Sequence, residues 1–200
     1  MINRPLSLRH LYCVRVAAAL TLFRWPQLER ILRAGMRQKQ LPRDFFSEIL
    51  IHLSLTVGFP AMLEGLGRLE KVAPPTRALK EKSGSAHNGR KIFQRIYGAQ
   101  SSKLLANLAK LRPELPRWIL NDTYGKVFAR RGLTLQEREI LNIAALSLQG
   151  LEKQLYSHLR GALRVGLSKR QIQLVLKETE RTSGENLRQH VAALHSIPSR

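Results

Sequence analysis

The chain has 200 residues, with 34 basic and 14 acidic residues that give a net charge of +20. Its single cysteine, Cys13, excludes an intrachain disulfide, a CxxC redox pair and a thiolate zinc site. Arg, Lys or Glu interrupts every apolar run before it reaches the length of a membrane span, so we expect no membrane partner.

Apolar residues in the first third recur with helical spacing and predict four helices. The first covers residues 7–23, and the second follows Pro26 and extends through Met36. A third begins after Pro42 and is apolar enough to be largely buried. Gly58 ends it, and Pro60 starts the fourth. No stretch of the chain alternates as strands do, so the predicted class is all-α.

Residues 71–88 are rich in Pro, Gly and Ser, which is typical of a linker. They separate a predicted N-terminal helical unit, 1–70, from a C-terminal unit, 89–180. The second unit starts with short helices near 92–96 and 100–111 and a longer one after Pro116. Residues 181–200 form a tail that we expect to be weakly helical or disordered.

The most informative stretch is residues 132–176, which predicts three consecutive helices. Thr134 with Glu137 and Ser168 with Gln171 are capping boxes that start two of them. Gly150 separates the first two helices, and the short connections imply antiparallel neighbours. This arrangement would bring Glu139 and His158 close together from adjacent helices.

The two predicted units resemble each other weakly. Aligning 27–50 with the second unit places Leu28 on Leu155 and Pro42 on Ser168. It also places Ile31 where His158 stands, so only the second unit keeps a histidine at that position.

Residues 113–172 resemble the front of a carboxymuconolactone decarboxylase domain, through pieces such as GxxxQLxxHLRGAL. Residues 45–66, with a GFPA turn, resemble the back of the same domain. The resemblance implies the all-helical fold of alkylhydroperoxidase D and a fusion of two related units. It also implies a homo-oligomer, because members of this family assemble through these helices.

The resemblance carries site residues onto this chain. Peroxidase members have a glutamate, then a CxxC pair twelve residues on, then a histidine. Here the glutamate is Glu139 and the histidine is His158, but Leu151 and Gln154 occupy the cysteine positions. Thiol peroxidase chemistry needs a thiolate and is therefore excluded in its usual form. The decarboxylase branch lacks the cysteines and matches better.

The resulting hypothesis is a cofactor-free, metal-free carboxy-lyase that acts on a small carboxylated lactone or related acid. His158 is the candidate proton donor and Glu139 the group that orients it. Arg160, Arg138 and Glu48 are candidate substrate-binding residues, since guanidinium groups pair with carboxylates. The alternative is a degenerate, non-catalytic assembly or binding protein, in which these polar residues only pack or face solvent.

The charge and the N-terminus leave further alternatives. A net charge of +20 fits a small anionic substrate, nucleic acid or a general solubility requirement. Nucleic acid has the least support, because no dense Lys/Arg cluster is interleaved with aromatics. The first 28 residues lack acidic side chains and resemble an organellar presequence. We favour instead a first helix with a basic outer face. A cytoplasmic location is therefore expected.

Overall fold

The computed structural model of the chain describes residues 5–75 and 86–197, and every regular element in these ranges is helical. This confirms the predicted all-α class. The α-helices are α1 Leu8–Thr21, α2 Trp25–Met36, α3 Arg43–Leu53, α4 Phe59–Val72, α5 Ala86–Tyr97, α6 Ser101–Leu111, α7 Leu115–Trp118, α8 Leu135–Gln149, α9 Glu152–Arg164, α10 Lys169–Ser183 and α11 Arg188–His195. A 3₁₀ turn, Gly98–Gln100, precedes α6, and a π-helical segment, Ile119–Phe128, continues α7.

The described residues form two compact units that divide the chain differently from the predicted boundary. The larger unit combines residues 5–75 with residues 132–197, and the smaller contains 86–131. Helices α1 and α3 pack directly on α8, and α1 also packs on α10. The N-terminal helices therefore supply one side of the core around the predicted hairpin. Most of the predicted linker 71–88 lies outside the described residues.

Helix α8 is the central element of the larger unit. Eleven of its fifteen residues are buried, and α1, α3, α9 and α10 all pack against it. Both predicted capping boxes are present: Thr134 and Glu137 start α8, and Ser168 and Gln171 start α10. Gly150 adopts a left-handed conformation with φ of +66°, which ends α8 and lets α9 turn back along it. The hairpin is thus formed as the sequence predicts.

The smaller unit is organised around an aromatic cluster between α5 and the π-helical segment. Phe93 and Tyr97 of α5 meet Tyr124 edge to face, and the hydroxyls of Tyr97 and Tyr124 are 2.8 Å apart. Gly89 permits the close approach, because a Cβ there would stand 2.1 Å from the carbonyl oxygen of Leu120.

The predicted tail, 181–200, is more ordered through residue 197 than expected. Helix α11 packs on α9 and α10 and buries Leu194, and Ile197 beyond it is also buried. The buried imidazole of His190 lies 3.0 Å, through Nε2, from the carbonyl oxygen of Ser147. Apolar burial and this hydrogen bond together explain why a segment with weak sequence periodicity forms a docked helix.

Candidate functional site

The predicted acid–histidine pair is in contact. Nδ1 of His158, on α9, lies 2.9 Å from Oε2 of Glu139, on α8. The Glu139 side chain is fully buried, whereas 15% of the His158 side chain remains exposed. The antiparallel packing of α8 and α9 brings the two residues together, as the lengths of the two helices predict.

Only one oxygen of Glu139 is used in this contact. Its other oxygen, Oε1, is buried, and no described residue donates a hydrogen bond to it. A buried carboxylate oxygen without a donor costs free energy, so Oε1 is an unsatisfied acceptor within the site. The remaining imidazole nitrogen of His158, Nε2, is the atom of the pair that points away from Glu139.

A second histidine, His52 of α3, joins the site through a buried polar chain. Nη1 of Arg138 lies 3.1 Å from Nδ1 of His52, and Nε2 of His52 lies 3.0 Å from Oδ1 of Asn142. Nδ2 of Asn142 then lies 3.2 Å from Nδ1 of His158. Arg138, His52 and Asn142 are 1%, 0% and 2% exposed. Three side chains from two helices, α3 and α8, are therefore connected to the pair through His158.

The electrostatic environment keeps His52 neutral. Burial lowers the pKa of His52 well below its usual value of 6.5, and the positive charge of Arg138 lowers that pKa further. A hydrogen bond to Asn142 acts in the opposite direction but does not outweigh them. His52 therefore acts as a neutral donor and acceptor at neutral pH rather than as a cation.

The three predicted substrate-binding residues lie in different surroundings. Arg138 is buried and donates to His52, so its guanidinium serves the polar chain. Glu48 is also buried, and its side chain packs against Gly132. A Cβ added to Gly132 would stand 2.8 Å from Cγ of Glu48. Arg160 is exposed on α9, about 200° around the helix from His158.

Sequence reasoning missed His52 and Asn142. The available signal was spacing: Glu48 and His52 are four residues apart on a helix predicted to be buried, and Asn142 follows Glu139 by three residues. Buried polar residues at helical spacing need partners, which favours a shared network. Which partner each one takes depends on the packing of α3 on α8, and periodicity alone does not give that.

Among the described residues, no group of three or more His, Cys, Asp or Glu side chains is arranged to hold a metal ion. Cys13 is fully buried, and burial raises the pKa of its thiol well above the ordinary value, which makes the thiol a poor nucleophile. Leu151 and Gln154, at the positions of the family's cysteine pair, are both exposed at the start of α9.

In the part of the chain that the structure describes, no helix is both long and apolar enough to cross a lipid bilayer.

Comparison with known proteins finds relatives of this chain. Two fungal proteins named Peroxisomal protein 2 are similar to this chain: that of Schizosaccharomyces pombe is 28% identical over 85% of this chain and 84% of its own length. That of Saccharomyces cerevisiae is 26% identical over 69% of this chain and 60% of its own length.

A bacterial protein, an uncharacterized 15.0 kDa protein of Paracoccus denitrificans, is 40% identical over 32% of this chain and half of its own length. Residues 113–195 match the model of the carboxymuconolactone decarboxylase family, and this range contains Glu139, Asn142 and His158. The match confirms the predicted resemblance to the carboxymuconolactone decarboxylase family over residues 113–195.

Proposed function

We propose that the Glu139–His158 pair is a proton-transfer site and that the protein is a cofactor-free carboxy-lyase for a small carboxylated lactone or acid. The observation that carries the proposal is the 2.9 Å contact between a fully buried carboxylate and a histidine that keeps 15% of its side chain exposed. A carboxylate on Nδ1 orients the ring, and the outward nitrogen, Nε2, then exchanges a proton with a ligand.

The reaction needs few protein groups. Loss of carbon dioxide breaks the bond between the ring carbon and the carboxylate, and the lactone carbonyl takes up the electron pair. A proton from Nε2 of His158 then forms the new C–H bond, and solvent restores the proton of the pair. The buried position of Glu139 supports this role, because low-dielectric surroundings strengthen its interaction with His158.

The family match of residues 113–195 supports the substrate class, since the matching model is that of the carboxymuconolactone decarboxylase family. Carboxymuconolactone is therefore the first substrate to test. Its loss is followed by absorbance or by released carbon dioxide, with wild-type protein and with His158→Ala. A positioned acid or base contributes about 10²–10⁴-fold to rate, so we expect His158→Ala to lose at least about 100-fold.

Ser157→Ala is the matched control. Ser157 precedes His158 on α9, and its hydroxyl donates to the carbonyl oxygen of Lys153 within the helix. Among the described residues no hydrogen bond joins Ser157 to the polar chain, so turnover by Ser157→Ala should equal that of the wild type. Equal rates for His158→Ala and Ser157→Ala would overturn the assignment of His158. Absence of wild-type turnover would favour the non-catalytic alternative.

The names of the fungal relatives bear on the cellular location of this protein. Both fungal proteins are named peroxisomal, and this supports a peroxisomal location in place of the predicted cytoplasmic one. A fluorescent fusion of the full chain in yeast should form puncta that coincide with a peroxisomal marker. A uniform signal through the cell would restore the cytoplasmic prediction.

The homo-oligomer also stays a prediction. Phe59 and Leu63 lie one turn apart on α4, and both are largely exposed, which supports a surface for association. Light scattering on the full chain measures the mass directly. A monomer mass of 22.8 kDa at micromolar concentration would contradict the prediction.

A further inference from the structure

The polar chain behind the pair has a fixed direction. A guanidinium group only donates hydrogen bonds, so Nδ1 of His52, which is 3.1 Å from Nη1 of Arg138, must accept. A neutral imidazole that accepts at Nδ1 carries its hydrogen on Nε2. Nε2–H of His52 therefore donates to Oδ1 of Asn142, 3.0 Å away.

This direction orients the Asn142 amide. Its oxygen is occupied by His52, so its nitrogen, Nδ2, faces Nδ1 of His158 at 3.2 Å. If the amide were turned round, Nδ2 would meet Nε2–H of His52, and two donors would oppose each other. Restoring that contact would require Nδ1–H on His52, which would then oppose the guanidinium of Arg138. The guanidinium group of Arg138, three hydrogen bonds away, thus fixes the amide nitrogen of Asn142 as a donor to Nδ1 of His158.

Two neighbours consequently meet one nitrogen of His158. The carboxylate of Glu139 favours a hydrogen on Nδ1, because a carboxylate accepts, and the amide of Asn142 favours a lone pair there. We propose that His52 and Asn142 are positioning residues that disfavour a proton on Nδ1 of His158. The hydrogen bond from Asn142 thus opposes the attraction of the Glu139 carboxylate for a proton on Nδ1, and it favours Nε2 as the nitrogen that carries the transferable proton.

This inference rests on the proposed function, and it specifies how the Glu139–His158 pair donates a proton. When the pair holds two protons, one lies on Nε2 of His158 and the other lies between Nδ1 and Oε2 of Glu139. On transfer, the Nε2–H bond breaks as the C–H bond of the product forms. The inner proton then remains on Nδ1, and Glu139 is a carboxylate. No imidazolate forms, and atoms and charges balance.

The test is nitrogen NMR on uniformly ¹⁵N-labelled full-length protein. The shifts of Nδ1 and Nε2 of His158, assigned with His158→Gln, report which nitrogen carries a proton. We expect Nε2 to be the protonated nitrogen in the wild type. In Asn142→Asp and Asn142→Leu, which remove the donor, the protonated fraction of Nδ1 should rise about fivefold, the effect of one ordinary hydrogen bond.

Ser157→Ala is again the control and should leave both shifts unchanged. An unchanged Nδ1 signal in a folded Asn142 variant would overturn the inference. If neither variant folds, the wild type still decides: a ¹⁵N–¹⁵N coupling across the Asn142 Nδ2–H to His158 Nδ1 hydrogen bond supports the inference, and its absence contradicts it. These readouts need no turnover. Failure to decarboxylate carboxymuconolactone would therefore remove the proposed function and leave the positioning role standing.

Discussion

Acidification should destabilise the fold through His52. Burial and the charge of Arg138 hold the pKa of His52 well below 6.5 in the folded protein, whereas the unfolded chain titrates near that value. Below about pH 6.5 the unfolded state therefore binds a proton that the folded state does not bind. The free energy of unfolding falls as pH decreases, and it recovers as pH rises to about 6.5.

The size of this loss of stability follows from the linkage between proton binding and folding. Each pH unit below the unfolded pKa costs up to about 1.4 kcal/mol for one group, as long as the folded protein does not bind the proton. Moving from pH 7.5 to pH 5.0 should therefore lower the free energy of unfolding by about 2 kcal/mol through His52 alone. Burial also lowers the pKa of His10, so this residue adds a contribution of the same sign.

Urea unfolding at pH 7.5 and 5.0 measures the effect in the wild type and in His52→Gln. The variant should be less stable at both pH values, because buried partners of His52 lose their hydrogen bonds, but its stability should change less with pH. His10→Gln is the matched control and should keep most of the wild-type pH dependence. The lowered pKa values of Glu137 and Glu178 affect stability only below about pH 4.5, outside this range.

Equal pH dependence in His52→Gln and the wild type would refute the reasoning, since it would mean that His52 titrates alike in both states. If the variant does not fold, calorimetry of wild-type unfolding at pH 5.5 in buffers of different ionisation enthalpy counts protons directly. Uptake of about one proton or more is expected, and no uptake would refute the account.

Three further predictions concern packing and reactivity. Thr134→Ala removes the side-chain cap of α8 and should cost about 1 kcal/mol in chemical denaturation, and no loss would contradict the capping role. Gly35→Ala would place a Cβ 2.3 Å from Phe46, so it should lower the free energy of unfolding by about 1–3 kcal/mol. Gly67→Ala adds a Cβ into open space, so in the same assay it should be neutral or stabilising. Native Cys13 should react with a thiol reagent far more slowly than in denaturant, and equal rates would contradict its burial.

Much of the larger unit could be predicted from local sequence signals. The capping box at Thr134 and the left-handed glycine at Gly150 specify where α8 begins and ends, and they require only neighbouring residues. Because α8 and α9 are joined by a short turn, helix lengths alone indicated that Glu139 and His158 could meet. Local rules suffice when both partners lie on one hairpin.

The rest of the site depends on contacts distant in sequence. His52 and Asn142 are 90 residues apart, and they meet only because α3 packs on α8. Periodicity shows that both helices are buried but not which faces adjoin. The same reason explains Arg138, which was expected to bind substrate: a buried guanidinium takes an internal acceptor, His52, that the linear sequence does not reveal.

The central claim is that His158 transfers a proton in a decarboxylation. The most direct measurement is carboxymuconolactone turnover in deuterium oxide, with mass spectrometry of the product, for the wild type, Ser157→Ala and His158→Ala. We predict that the wild type and Ser157→Ala release carbon dioxide and place one deuterium on a ring carbon of the product. His158→Ala should be slower by at least about 100-fold. Undiminished turnover by folded His158→Ala would contradict the claim.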